Sequence, residues 1–186
     1  MSGSPPSPTR NRKLCVVGFR AVGKSAVTFQ FCEDRFVDTY SPTIETSFRK
    51  SVKNVPVEIV DTAGMDEYSL FQPQHAIGVD GYILVYAVTA RSSFEILKTI
   101  NDKILNAHGS DKVPRVLVGN KTDLEVERQV SSAEGNALAS EWGAPFIECS
   151  ARTGKGVQEA FEACVAEIMR KEGGWEEKKK GRCVVM

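Results

Sequence analysis

Short apolar runs alternate along the chain with longer stretches in which apolar residues return every three or four positions. The runs read as buried strands: "KLCVVG" (Lys13–Gly18), "VPVEIVDTAG", the continuous "GYILVYAVT" (Gly81–Thr89), "PRVLVGNKTD" and "PFIECSA". In the second run Val55, Val57 and Ile59 recur with the period of two that marks a strand. The third has no polar interruption, as a central parallel strand should. The stretches between them read as helices. "KSAVTFQFCEDRF" opens at a glycine-rich turn, and "RSSFEILKTINDKILNAHG" sets Phe94, Leu97, Ile100, Ile104 and Leu105 on one face before Gly109 ends it. "SSAEGNALASEWG" is capped by Ser131 or Ser132 and stopped by Gly143. "GVQEAFEACVAEIMRKEGG" is amphipathic through Val157, Ala160, Phe161, Val165 and Ile168.

Strands that alternate with helices predict an α/β fold, a mostly parallel sheet with helices on both faces. Ligands of such sheets bind beyond the carboxyl ends of the strands. Polar clusters follow four of these strands: a glycine loop after Lys13–Val17, "DTAG" after Val57–Val60, "GNKTD" after Val116–Val118 and "CSA" after Phe146–Glu148.

Composition narrows the picture. The 186 residues, 41% hydrophobic and 26% charged, suit one soluble domain with a real core. A formal net charge of +0 supplies no field for nucleic acid, so no such partner is expected. The cysteines, Cys15, Cys32, Cys149, Cys164 and Cys183, form no C-x-x-C pair, which argues against zinc and against a disulfide framework. Residues 1–12 read as a flexible leader, with neither the apolar segment of a signal peptide nor the glycine needed for myristoylation, since position 2 is Ser2. No run is long enough to cross a bilayer. His75 and His108 lack partners at ligand spacing and are expected at the surface; Trp142 reads as packing at a helix end, and Trp175 has no functional reading.

The chemistry gathers in the loops. "GFRAVGKS", Gly18 to Ser25, fits G-x-x-x-x-G-K-[ST] between a strand and a helix. Its backbone N–H groups and the helix end suit phosphate oxygens, Lys24 supplies a point charge, and the Ser25 hydroxyl suits Mg2+. In "NKTD" the Asp123 carboxylate can accept both N1–H and the exocyclic amine of guanine, a donor pair that adenine lacks. A site that reads hydrogen bonds in this way discriminates by about 10^4 or more. Asn120 can anchor the N7/O6 side, the Lys121 stem can lie along the ring, and the Ala151 N–H of "CSA" can reach O6. Asp61 of "DTAG" can hold Mg2+ directly or through water, and Gly64 allows close approach to a γ-phosphate. Thr43, stiffened by Pro42, can complete the Mg2+ shell, so losing the γ-phosphate would release both loops.

Together these motifs resemble the Ras superfamily of small GTPases, over roughly Lys13 to Lys171. "YSPTIE" and "DTAG" flanking a short interswitch segment resemble the Ras branch. Within it, "GFRAVGKS" with its arginine, "DTAGMDEYSLF" and the terminal "CVVM" resemble the Rheb subfamily. The resemblance implies a three-layer, six-stranded P-loop GTPase fold, with a GTP-binding domain over 13–172 and a basic tail over 173–186. It implies a nucleotide site built from Arg20, Ala21, Val22, Gly23, Lys24, Ser25, Ala26, Phe36, Val37, Tyr40 and Thr43, and from Gly64, Asn120, Lys121, Asp123, Ser150 and Ala151. Ser25, Thr43 and Asp61 would serve Mg2+, the last through water. Tyr40, Thr43, Asp61 and Gly64 would support hydrolysis. Residues 40–48 and 66–72 would form the two switches that meet partners.

Three departures from the family pattern stand out. Met65 occupies the place of the glutamine that orients the attacking water, and a thioether cannot donate and accept as an amide does. Arg20 stands where Ras has glycine; it either obstructs an incoming arginine finger or points to solvent. The hairpin "FRKSVKNVPVEIVD" looks a few residues short, and Pro56 cannot donate to a ladder, so its register and effector contacts are open. Slow hydrolysis and a large GTP-bound fraction are therefore expected. The alternatives are a GTP-loaded binding module with negligible hydrolysis and an ATP-dependent nucleotide kinase, which "NKTD" and "CSA" argue against. The tail "EEKKKGRCVVM" ends in C-a-a-X, which implies a prenyltransferase and a farnesyl group on Cys183, with "KKKGR" adding attraction to an anionic membrane surface. By resemblance, the protein would be a monomer at the cytoplasmic face of internal membranes and partly cytosolic. A tuberin-like activating protein would turn it off, and the mTOR kinase complex would be its effector.

Overall fold

The computed structural model describes residues 10–38, 45–64 and 71–173. Chain order is β1 (Arg12–Gly18), α1 (Lys24–Glu33), β2 (Thr46–Val52), β3 (Val55–Asp61), a 3-10 turn (Pro73–Ala76), β4 (Gly81–Ala87) and α2 (Arg91–His108). It continues through β5 (Arg115–Asn120), a second 3-10 turn (Glu125–Glu127), α3 (Ser132–Trp142), β6 (Phe146–Glu148) and α4 (Val157–Lys171). The strands form one sheet in the order β2-β3-β1-β4-β5-β6, parallel except for β2. This is the α/β architecture the alternation of runs predicts.

The pleat divides β1 between two cores. Leu14 and Val16 join the layer that contains Val27 and Phe31 of α1 and Phe161, Val165 and Ile168 of α4. Cys15 and Val17 join the layer that contains Phe94, Leu97 and Ile100 of α2 and Leu138 of α3. Successive side chains point to opposite faces, so an unbroken apolar run is what a strand covered on both sides requires. β4 is buried at all seven positions for the same reason. Each fully buried Leu or Ile contributes on the order of 1.5–3 kcal/mol. Phe31 stacks on Phe161 at 3.9 Å between centroids, joining α1 to α4.

Several expectations are refined. The first helix stops at Glu33 rather than running on to Phe36. Asp34 adopts φ 52 and returns its N–H to Gln30 O at 3.1 Å, while Gln30 Nε2 donates to its carboxylate at 3.0 Å. That turn frees residues 35–38 to follow a different path. Of the two candidate caps for α3, Ser131 serves: its Oγ accepts from Glu134 N, and Glu134 accepts from Ser131 N. Gly109 and Gly143 terminate α2 and α3 in the left-handed region, as the sequence suggests.

The hairpin keeps its register despite Pro56. Seven residue pairs run from Thr46↔Asp61 to Val52↔Val55, closed by Lys53 and Asn54 at φ 45 and 66. In a two-residue hairpin the pair beside the turn exchanges hydrogen bonds, so the N of the next residue points away from the partner. Pro56 is that next residue, and β1 joins β3 only from Val57 onward. The missing N–H therefore costs the ladder nothing.

The histidines are half-buried rather than on the surface. His108 Nε2 lies 2.8 Å from Tyr82 Oη, and burial pushes its pKa down, with Lys171 acting in the same direction. His75 packs edge-on against Phe71. Among the described cysteines, Cys15, Cys149 and Cys164 are buried and Cys32 partly so, all as free thiols. No described helix is long and apolar enough to cross a membrane.

Candidate functional site

The loop between β1 and α1 wraps tightly. Gly23 sits at φ 95, and a Cβ there would lie 2.4 Å from Asn120 Nδ2. Only glycine permits both that backbone and that approach. Lys24 begins α1, is 6% exposed, and donates from Nζ to Phe19 O at 3.0 Å across the loop. Burial pushes its pKa down to about 8, and the charge of Asp61 pulls it part of the way back. A desolvated ammonium at a helix start, facing an open cavity, is a strong attractor for a polyphosphate.

Asp61 closes β3 at 1% exposure. Its Oδ2 accepts from Ser25 Oγ at 2.5 Å, while its Oδ1 is buried without a hydrogen-bond partner. Burial raises its pKa, and the Ser25 hydrogen bond and Lys24 charge oppose that rise. A buried carboxylate oxygen left over beside a hydroxyl is hard-donor chemistry suited to Mg2+. Among the described residues no cluster of three His, Cys, Asp or Glu could hold a metal alone. A cation here would draw its remaining ligands from hydroxyl, phosphate and water oxygens.

Three residues on, Gly64 brings the "DTAG" loop against the phosphate loop. A Cβ on it would stand 2.6 Å from Arg20 Cα. The close approach expected toward a γ-phosphate is thus also an approach to the Arg20 backbone. The Arg20 side chain is exposed and lies over the Phe19 ring at 5.6 Å, off the cavity wall. Of the two readings of Arg20, this placement favours the solvent-facing one.

Three loops are sewn together where the base would lie. Asn120, 1% exposed at the end of β5, donates from Nδ2 to Val22 O at 2.9 Å and accepts at Oδ1 from Ala151 N at 3.0 Å. Lys121 adopts φ 69 and reaches back from Nζ to Ala21 O at 2.8 Å. Thr122 Oγ1 donates to Cys149 O at 3.0 Å, and Ser150 Oγ donates to Asp123 Oδ1 at 2.7 Å. Both Asn120 and the Ala151 N–H, expected to read N7 and O6, are therefore engaged with the protein's own backbone and with each other. The exposed Asp123 carboxylate, oriented by a buried serine, presents the acceptor face that guanine needs.

These elements surround a cavity of about 700 Å3. Of the residues expected around the nucleotide, Ala21, Gly23, Lys24, Ser25, Ala26, Phe36, Val37, Gly64, Asn120, Lys121, Asp123 and Ala151 line it, as does Asp61. Arg20, Val22 and Ser150 do not; Val22 is buried in the core and acts through its carbonyl, and Ser150 stands behind Asp123. Tyr40, Thr43, Met65, Trp175 and Cys183, with residues 66–70 of the expected second switch, lie outside the described residues. Sequence reasoning missed Phe29, Asp38, Thr46, Phe48, Leu124 and Arg152 as lining residues. Two signals were available: Phe29 falls one helical turn after Ser25, on the same face, and Arg152 directly follows Ala151. The rings of Phe29 and Phe48 meet edge-on at 5.2 Å to form an apolar wall.

A strand–glycine loop–helix, a buried lysine, a lone carboxylate oxygen and an aspartate at the base end define a phosphate-loop nucleotide-binding protein. The Ras family profile matches residues 13–170. The chain is 48% identical to the GTP-binding protein Rheb homolog of Dictyostelium discoideum, over 97% of this chain and 100% of that one. It is 48% identical to the GTP-binding protein rhb1 of Schizosaccharomyces pombe, over 87% and 90%. To human GTP-binding protein Rheb it is 43% identical, over 96% and 98%. The chain belongs to the Ras family of small GTPases, enzymes that hydrolyse GTP, and within that family to the Rheb subfamily.

Proposed function

We propose that this GTPase is a Mg2+-dependent, slowly hydrolysing switch that signals while loaded with GTP. The support for this reading is Met65, which stands in the sequence where the family pattern has its glutamine, together with a cavity lined by Lys24, Ser25, Asp61 and Asp123. Lys24 balances phosphate charge, Ser25 and Asp61 offer oxygens to Mg2+, and Asp123 selects guanine. Thr43 would join the cation's ligands. Bound Mg2+ would supply charge neutralisation at the β- and γ-phosphates. This chain's residues hold the phosphates and base in register; Met65 leaves the attacking water without an amide to orient it. Binding is thus strong relative to chemistry.

Around that switch we place a farnesyl thioether on Cys183, attached by a prenyltransferase, and a cytoplasmic location on internal membranes with a cytosolic fraction. A tuberin-like activating protein opposes the signal, and the effector is the mTOR kinase complex. The support is the C-a-a-X ending and the resemblance carried by the switch motifs. Monomeric behaviour is part of the same reading by resemblance. A second reading, a GTP-loaded module with negligible hydrolysis, draws on the same Met65.

Single-turnover hydrolysis by purified protein, with and without a tuberin-like activating domain, tests the switch. A slow basal rate that the domain accelerates supports it. No acceleration selects the binding module. A fast basal rate like that of a glutamine-bearing relative, unchanged by Met65→Gln, overturns both readings.

A further inference from the structure

The loop that carries Asp123 meets the loop that carries Ser150 through the bond from Ser150 Oγ to Asp123 Oδ1. Two residues outward from that bond, on either side, stands a glutamate: Glu125 in the second 3-10 turn and Glu148 at the end of β6. Arg128 lies between them, its side chain 16% exposed. Its Nε donates to both carboxylate oxygens of Glu125 at 2.9 Å. Its Nη1 donates to Glu148 Oε1 at 2.7 Å and its Nη2 to Oε2 at 3.4 Å, a fork against a half-buried carboxylate. Nη1 also donates to Val130 O at 3.1 Å.

The arginine stands on a fixed base. Gln129 N and Val130 N both donate to Val88 O, at 2.8 and 3.0 Å, just past the end of β4. The 128–130 segment is thereby tied to the sheet, and the guanidinium extends from it to both base-side loops. Forked, charge-assisted bonds are stronger than neutral ones, and they set orientation as well as distance. The Glu148 arm carries more of the load, because Glu125 is exposed and a pair open to water adds little. Arg91 makes a comparable fork nearby, to Glu134 at 2.6 and 3.2 Å, and bonds to Gln129 O. That one ties the start of α2 to the cap of α3 and bonds to neither base-side loop.

Guanine presents two donors, N1–H and the 2-amino group, and one carboxylate must meet both in one plane. Ser150 sets Asp123 for that, so the spacing of the two loops sets the aim of the carboxylate. We propose that Arg128 is a positioning residue for base selection: by holding Glu148 and Glu125 at fixed spacing, it keeps Asp123 aimed at both donors of guanine. Arg128 does not line the nucleotide cavity, so it acts only through the loops. This role rests on Asp123 reading guanine and adds what holds that carboxylate in place. Without the clamp the carboxylate is free to turn. A turned carboxylate still meets a base with one donor, and it fails a base with two.

The full chain, holding a fluorescent guanosine diphosphate analogue at fixed Mg2+, is competed with guanosine diphosphate and with inosine diphosphate, which keeps N1–H and lacks the 2-amino group. Wild type prefers guanosine diphosphate by about ten- to a hundred-fold, the size of one hydrogen bond to a charged group. Arg128→Ala narrows that ratio by about three- to ten-fold. Arg128→Lys, which keeps the charge and loses the fork, falls between the two. Arg91→Ala removes a comparable ion pair and leaves the ratio at its wild-type value, whatever it costs in a urea titration. A wild-type ratio in Arg128→Ala, or in Arg128→Lys if the alanine variant does not fold, overturns the role, and so does an equal narrowing in Arg91→Ala. A wild type that binds both diphosphates equally overturns the guanine reading of Asp123, and the role with it.

Discussion

Asn120 is the point at which removing a few atoms should cost most. Its amide joins the phosphate loop to the 149–151 loop through Val22 O at 2.9 Å and Ala151 N at 3.0 Å, and both partners sit in residues no more than 3% exposed. Asn120→Ala leaves a buried carbonyl and a buried N–H without partners. Each costs about 1–3 kcal/mol, so the sum is about 2–6 kcal/mol, and some relaxation brings the expected loss to about 3 kcal/mol. With a urea slope of about 2 kcal/mol per molar, the unfolding midpoint falls by about 1.5 M. Asn120→Asp keeps the acceptor toward Ala151 but sets a buried carboxylate oxygen against the Val22 carbonyl oxygen, so it costs at least as much as Asn120→Ala. Unfolding in urea at fixed excess guanosine diphosphate and Mg2+, followed by circular dichroism, reads the midpoint, and nucleotide release should accelerate in the same order. A midpoint for Asn120→Ala within about 0.2 M of wild type would refute the idea that this side chain is the tie between the loops.

Two further outcomes follow from the same geometry. Lys24, with an ordinary value of 10.5, is held near 8 by burial. In nucleotide-free protein the unfolded chain therefore binds the extra proton between those limits, and stability rises with pH from about 8 to about 10.5, by about 3 kcal/mol at most. Lys24→Met should flatten that part of a denaturation-versus-pH profile, and a wild-type profile already flat there would contradict the burial argument. Gly64→Ala places a methyl group 2.6 Å from Arg20 Cα. Backbone must then move, so the variant should lose at least ten-fold in affinity for a GTP analogue while guanosine diphosphate, which lacks the γ-phosphate, is affected less; equal affinities for wild type and variant would show that the two loops yield freely.

Much of this site is legible in the sequence because its chemistry is local. The spacing from Gly18 to Ser25 sets the phosphate loop by itself, and the apolar runs before each motif place all four at one sheet edge. The hidden parts depend on contacts distant in the chain. Asn120 binds a carbonyl 98 residues away, and nothing in "NKTD" shows that its amide is used inside the protein. The fate of Pro56 depended on where β1 joins the sheet, which no local pattern states. The histidines looked bland because neither has a ligand neighbour in sequence, yet His108 meets Tyr82 across 26 positions and His75 faces Glu45 across 30. The end of α1 was misplaced because Asp34 looks helix-compatible until its left-handed backbone is seen.

The central claim is that the exposed carboxylate of Asp123, oriented by Ser150, selects a guanine nucleotide for the cavity above Lys24. Equilibrium competition against a fluorescent guanosine diphosphate analogue, at fixed Mg2+, measures it directly. GTP and GDP should displace the probe at concentrations at least about 10^4 lower than ATP, and Asp123→Asn should shift preference toward xanthosine nucleotides. Displacement by ATP as effective as displacement by GTP would contradict the account at its root.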